Sequence, residues 1–129
     1  NWEVTKKAVD GNKTVIRHLK SIRDCAVEME RALSRGHLKS LAPIFAREWK
    51  ARKQLAPNIS TPQMDRLMRA AQKKGALAGK VCGAGGGGCV AFIVPPTKKQ
   101  SVMEELTSKG GKVLPFRFVS RGLRCQAPA

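Results

Sequence analysis

The run Gly83-Ala84-Gly85-Gly86-Gly87-Gly88 constrains this chain more than any other feature, since five of its six residues lack a side chain. It lies between Lys80-Val81-Cys82 and Cys89-Val90-Ala91-Phe92-Ile93-Val94. Each glycine costs roughly 0.5–1 kcal/mol more backbone entropy than alanine, so the run costs on the order of 2.5–5 kcal/mol. Such a stretch makes sense where the backbone itself must act, by turning tightly or by letting a ligand or a second backbone come within contact distance. Successive N–H groups in such a turn can converge on an anion. A hydrogen bond to a charged group contributes roughly 1.5–3 kcal/mol, so two or three to a phosphate offset the entropy. A glycine-rich hairpin turn without a ligand is the alternative that the run alone leaves open.

The chain has 129 residues, so one domain is the default expectation. Its longest apolar stretch, residues 89–94, falls far short of the ~20 residues of a membrane span and reads as a buried strand. No charged segment followed by an apolar one opens the chain, so no signal peptide is expected. It begins at Asn1 without an initiator Met, which suggests a piece of a longer protein. Cys25, Cys82, Cys89 and Cys125 have no CxxC spacing, and His18 and His37 are not placed to complete a zinc site. The four cysteines are expected to be buried free thiols of a cytoplasmic protein.

The formal net charge of +16 calls for anionic partners. The absence of Tyr, and the placing of the few aromatics in apolar patterns, argue against a stacking platform for single strands. No RRM, KH or zinc-finger signature is present, and the basic residues scatter over several segments rather than forming one stripe. A phosphorylated small molecule, or an acidic remainder of the same protein, suits the charge as well as nucleic acid does.

Apolar spacing predicts a helix over residues 12–33, on Val15, Ile16, Leu19, Ile22, Ala26, Met29 and Leu33, closed by Gly36. Residues 1–11 read as a lead-in. A second helix is predicted over 38–55, with a stripe of Leu38, Leu41, Ala42, Phe45 and Trp49. Pro57 breaks the chain. Ser60 or Thr61 then caps a third helix, with Pro62 in its first turn, Gln63 completing a capping box and Gly75 ending it. Strands are predicted over 76–82 and 89–94, joined by the glycine run. A short helix from Thr97 carries Val102, Met103 and Leu106 inward. A last strand over 113–119 holds Pro115, which suggests an edge or a bulge. Residues 120–129 read as a tail. The order predicts an α+β fold, with helices on an antiparallel sheet in part of a ferredoxin-like, split βαβ arrangement.

Among glycine-rich phosphate loops, a Walker A loop fails because Cys89 and Val90 follow the run instead of Lys and Ser or Thr. A dinucleotide loop must open a helix, whereas a strand pattern follows here. A protein-kinase glycine loop lacks its downstream Val and Lys elements. The stretch 75–89, GALAGKVCGAGGGGC, resembles instead the third motif of the GHMP small-molecule kinases, the superfamily of galactokinase, homoserine, mevalonate and phosphomevalonate kinases. Trp49, Lys53, Leu55, Ile59-Ser60, Pro62, Asp65, Ala71 and Gly75-Ala76 resemble its heptose 7-phosphate kinase branch. Leu114-Pro115-Phe116-Arg117-Phe118 and Gly122 are similar to the end of that branch, and the resemblance runs from about residue 14 to 124.

The resemblance implies that residues 1–129 form a GHMP kinase C-terminal domain. The catalytic Asp, the metal ligand and the ATP phosphate loop belong to an N-terminal domain of the same polypeptide, and no PxGxGLGSSxA stretch occurs here. It implies ATP and Mg2+ as cofactors of the full-length enzyme, with none bound by this piece alone, no catalytic or metal residue in it, and no activity of its own. Gly83, Ala84, Gly85, Gly86, Gly87 and Gly88 would face the cleft between domains, support the nucleotide-phosphate loop and help place the acceptor. Phosphoryl transfer rests mainly on positioning and charge stabilisation, which backbone amides supply.

Four other residues are candidates for the substrate. Lys80 precedes the loop and can reach a phosphate, though a solvated strand-rim lysine reads the same way. Trp49 and Lys53 share a helix face and can line an acceptor pocket, or form a core Trp beside an exposed Lys. Ser60 is first a cap and second a hydroxyl contact. The function implied is transfer of a phosphoryl group from ATP to a sugar or sugar phosphate, the anomeric hydroxyl of a heptose 7-phosphate foremost, with fucose or galactose as other acceptors within the superfamily. A stand-alone basic module for anions or nucleic acid is the rival; it requires binding to random DNA with steep salt dependence.

Overall fold

The computed structural model describes residues 2–122. Helix α1 (Trp2–Val9) is followed by α2 (Lys13–Ser34), a 3-10 turn (Leu38–Ser40), α3 (Leu41–Lys53) and α4 (Pro62–Lys73). Strands β1 (Ala78–Val81) and β2 (Val90–Ile93) come next, then a second 3-10 turn (Pro96–Lys98) and α5 (Lys99–Ser108). The fold is α+β, with five helices packed on a two-stranded antiparallel sheet.

Local chemistry sets the helix starts. Asn12 caps α2, its side chain accepting from the Val15 N–H at 3.0 Å. Thr61, not Ser60, caps α4, accepting from the Met64 N–H at 3.2 Å, and Pro62 opens the helix where its missing N–H leaves no bond unmade. The expected capping box does not form: the Gln63 amide reaches forward to the Lys109 carbonyl, 3.4 Å away, and so ties α4 to the end of α5.

The sheet pairs Ala78 with Ile93, Gly79 with Phe92, Lys80 with Ala91 and Val81 with Val90. One bond extends the ladder at each end, Leu77 N–H to Ile93 O and Cys82 N–H to Cys89 O, both 2.8 Å. Helix α3 packs against both α2 and β1. The main core joins Val15, Trp49, Leu55, Ile59, Met64, Met68 and the fully buried Val81. A second cluster of Cys25, Ala32 and Ile44 fastens α2 to α3, and a third of Ala71, Ala76 and Val102 fastens α4 to α5. Phe92 packs against the first and third clusters and so links the sheet to both.

Further expectations need correction, beginning with Leu19, Leu33 and Leu38 of the predicted apolar stripes, which are exposed. The lead-in is helical: Val4 and Ala8, four residues apart, pack against the main core. The last strand is not formed: among the described residues 113–119 are in no strand, and Phe116, Phe118 and Val119 are exposed. Pro115 has no N–H to give a ladder, and the β1–β2 pair takes no third member. Cys82 and Cys89 are exposed rather than buried, because the strands stop at Val81 and Val90 and leave each thiol on the loop side; Cys25 is buried as expected. Cys125 lies outside the described residues.

Candidate functional site

The glycine run is the loop between β1 and β2. Gly83, Gly85, Gly86 and Gly88 all have left-handed φ, at 85°, 93°, 77° and 89°. At Gly85 the requirement is double. A Cβ there would lie 2.6 Å from the Ile59 carbonyl oxygen and 3.0 Å from the Ile59 Cα, so the loop backbone rests directly on the backbone before α4. The next residue completes the contact, Gly86 N–H donating to Ile59 O at 3.0 Å. Asn58, the residue before Ile59, has φ 66°, a left-handed conformation that Asn tolerates better than most residues.

The opposite side of the loop is open. A Cβ on Gly83, Gly87 or Gly88 would meet nothing within 4 Å, and 82–84 and 86–89 are exposed. One face of the bend is therefore anchored by main-chain contact and the other is free to meet a ligand or a second protein surface.

Ser60 adjoins this cradle as the residue after Ile59. Its hydroxyl donates to Asp65 Oδ1 at 2.7 Å, which holds the start of α4 beside the loop. Lys80 enters from β1. Its Nζ is 2.8 Å from Glu48 Oε2 and 5.5 Å from the Phe45 ring centroid, so the ammonium is paired with α3. Glu48 is buried and also accepts from Arg52 Nε at 2.7 Å. This Lys80–Glu48–Arg52 cluster fixes α3 against the strand that feeds the loop. Trp49 sits in the main core at 6% exposure, and Lys53 Nζ lies 5.8 Å from its ring centroid. The structure thus brings Ser60 to the glycine loop through Ile59, turns Lys80 to Glu48, and sets Trp49 and Lys53 together on α3.

Sequence reasoning missed Asn58 and Glu48, and named Ile59 only within the family resemblance, without its role under the loop. The Pro57-Asn58 pair was a legible sign of a left-handed turn. Glu48 and Arg52 stand four apart, a helical ion-pair spacing, although nothing local marks that glutamate as buried. Away from the loop, Arg47 donates to Cys25 Sγ at 3.3 Å and pairs with Glu28, and the Glu28 bond is the main reason the guanidinium is held above its ordinary pKa. Among the described residues no three His, Cys, Asp or Glu side chains gather in a metal-binding group. No helix among them is long and apolar enough to cross a membrane.

A two-layer α+β domain whose anchored glycine bend joins two antiparallel strands defines the class of this protein. The family profile "GHMP kinases C terminal" matches residues 29–112, and the chain belongs to that family. It is 32% identical to a D-glycero-alpha-D-manno-heptose 7-phosphate kinase of Campylobacter jejuni over 122 residues, 95% of this chain and 36% of the relative. It is 37% identical to a mevalonate kinase of Thermococcus onnurineus over 71 residues, 55% of this chain and 21% of that protein. A mevalonate kinase of Methanocaldococcus jannaschii is 35% identical over 63 residues, 49% of this chain and 20% of the relative. The chain thus spans about a third or less of the length of these curated relatives.

Proposed function

We propose that this chain is the C-terminal domain of an ATP-dependent kinase that phosphorylates a sugar phosphate, a heptose 7-phosphate before other acceptors. The observation that carries the reading is the two-sided glycine loop, clamped to Ile59 on one face and open on the other. The loop amides of 83–88 other than that of Gly86, which is bonded to Ile59, supply the donors that a polyphosphate, or the loop that carries one, needs in a site where charge must be stabilised without reorganisation. In this reading an N-terminal domain of the same polypeptide docks on that open face and brings the catalytic base, the ATP phosphate loop and the ligands of Mg2+. The described residues suit an anion through main-chain N–H groups, and none of them is assigned to the metal.

The heptose acceptor is supported by the similarity over 95% of the chain, against 55% for the mevalonate kinase of Thermococcus onnurineus. Ser60, beside the loop, is the substrate contact with the clearest place in this reading. Lys53 and Trp49 form the next candidate wall, and Lys80 acts by holding β1 to α3 while its ammonium stays paired with Glu48. A cytoplasmic location follows from soluble phosphorylated substrates.

The test uses the protein that carries this chain. Gly87 lies outside the left-handed φ range and has open space around it, so Gly87→Val adds bulk on the free face without a clash. Phosphoryl transfer from ATP to heptose 7-phosphate, mevalonate, galactose and fucose is measured for both forms. The reading expects heptose 7-phosphate to be the best acceptor and the valine variant to lose at least about 100-fold in kcat/KM, the scale of one lost transition-state donor. Transfer to mevalonate alone would overturn the acceptor, and an unaffected variant would overturn the role of the loop.

A further inference from the structure

We propose that Cys82 and Cys89 form a dithiol site that takes up a disulfide by exchange with a low-molecular-weight disulfide of the glutathione class, closing a covalent neck beneath the glycine loop. The register that pairs Val81 with Val90 makes Cys82 and Cys89 the next rung, and the 2.8 Å bond from Cys82 N–H to Cys89 O shows that the rung is in place. Residues opposed in an antiparallel pair project to the same face. A pair that exchanges both backbone bonds has its Cα atoms about 5.5 Å apart, inside the roughly 4.4–6.8 Å that a disulfide spans, and Cys82 and Cys89 hold one of those two bonds at the open end of the ladder. Cβ atoms of opposed residues stand about 4.5–5.5 Å apart in general, so a bridge requires them to close to roughly 3.5–4.5 Å. The neighbouring glycines allow that small movement, because nothing lies within 4 Å of a Cβ built on Gly83 or Gly88.

Access favours the same pair. Both are free thiols and both are exposed. Cys25 is 2% exposed and accepts a hydrogen bond from Arg47, so a dissolved disulfide reaches the loop pair first. In the first step one cysteine, as thiolate, attacks a sulfur of the small disulfide. That S–S bond breaks, a mixed disulfide forms, and the released thiolate takes up a proton. In the second step the other cysteine, as thiolate, attacks the protein sulfur of the mixed disulfide and expels the second small thiolate, which is protonated in turn. The protein dithiol loses two electrons and two protons, and the small disulfide becomes two thiols. In a reducing compartment the same route runs backwards, so the mark is reversible.

The experiment incubates the protein that carries this chain in a series of reduced-to-oxidised glutathione ratios, quenches with acid and maps tryptic peptides by mass. Cleavage after Lys80 and Lys98 puts both cysteines on one peptide, 81–98, with Cys125 on another. The expected product is peptide 81–98 lighter by two hydrogens, increasing with the oxidised fraction and reversed by dithiothreitol. Cys82→Ser and Cys89→Ser should each trap a single glutathione on the remaining thiol, while Cys125→Ser should still give the internal bridge. Glutathione carried on both thiols without an internal bridge, no modification at all, or a bridge from either residue to Cys125 would each overturn the proposal. The readout is a covalent mass in the wild-type protein, so it stands or falls apart from the phosphate role of the loop.

Discussion

Adding one methyl group at Gly85 should damage this protein far more than adding it two residues later. At Gly85 the new Cβ would lie 2.6 Å from the Ile59 carbonyl oxygen, 2.9 Å from Ile59 Cγ2 and 3.0 Å from Ile59 Cα, at a φ of +93°. The left-handed backbone alone costs an L-residue roughly 1–2 kcal/mol. Relieving the clash means lifting the loop off the α4 approach, an overpacking cost of about 1–3 kcal/mol. It also weakens the Gly86–Ile59 hydrogen bond, a loss of about 0.5–1.5 kcal/mol. Together these give about 2.5–6.5 kcal/mol, a large share of the roughly 5–15 kcal/mol that holds a typical domain folded. Gly87→Ala meets open space at an ordinary φ, and by restricting the unfolded chain it should gain about 0.4–1 kcal/mol. Thermal and urea unfolding of the two variants beside wild type measures the contrast. Gly85→Ala should melt lower by on the order of 10–20 °C, and Gly87→Ala at or slightly above wild type. Equal melting of the two variants would refute the claim that the loop is anchored on one face only.

Two further outcomes follow. Glu48→Gln removes the charge that holds Lys80 and Arg52; both cations keep some access to water, so the loss should be about 1–3 kcal/mol by urea unfolding, and a cycle with Lys80→Met should show coupling between the two sites. A loss below about 0.5 kcal/mol would mean that the cluster does not fasten α3 to β1. In α1, the hydrogen bond from Lys7 to Glu3, with their charge attraction next, holds the Glu3 carboxyl below its ordinary value. A lowered folded value stabilises above the unfolded pKa and is lost as pH falls through the folded one, so α1 should fray only as pH falls below the carboxyl's ordinary 4.5, read from the amide resonances of residues 3–9; fraying that sets in near pH 7 would contradict this.

Much of the architecture was legible because apolar spacing and end signals agreed. Asn12, Gly36, Thr61 and Pro62 mark helix ends in the sequence and sit at them in the structure. The two strands and their glycine connection were likewise readable, from an apolar run beside residues with no side chain. What failed depended on partners distant in sequence. Helix α1 offers only Val4 and Ala8 to the core, too little for periodicity to register. The 113–119 segment is apolar enough to read as a strand, but its composition cannot say whether a ladder is there to receive it. Helix α3 buries Ile44, Glu48 and Ala51 beside Ala42 and Trp49 because it is packed by α2 and β1 together, so its buried face is broader than one stripe. The anchoring of the loop was hidden for the same reason: Ile59 reads as an apolar residue, and its part is played by its carbonyl oxygen.

The central claim, that the free face of the glycine loop meets the nucleotide phosphates or the loop that holds them, is tested most directly by amide resonances. ATP is titrated into the protein that carries this chain while the N–H signals of Gly83, Gly87 and Gly88 are followed beside that of Gly86, whose N–H is bonded to Ile59. Saturable shifts at the three open glycines, with Gly86 moving least, are the predicted result. Saturating nucleotide that leaves all three in place would contradict it.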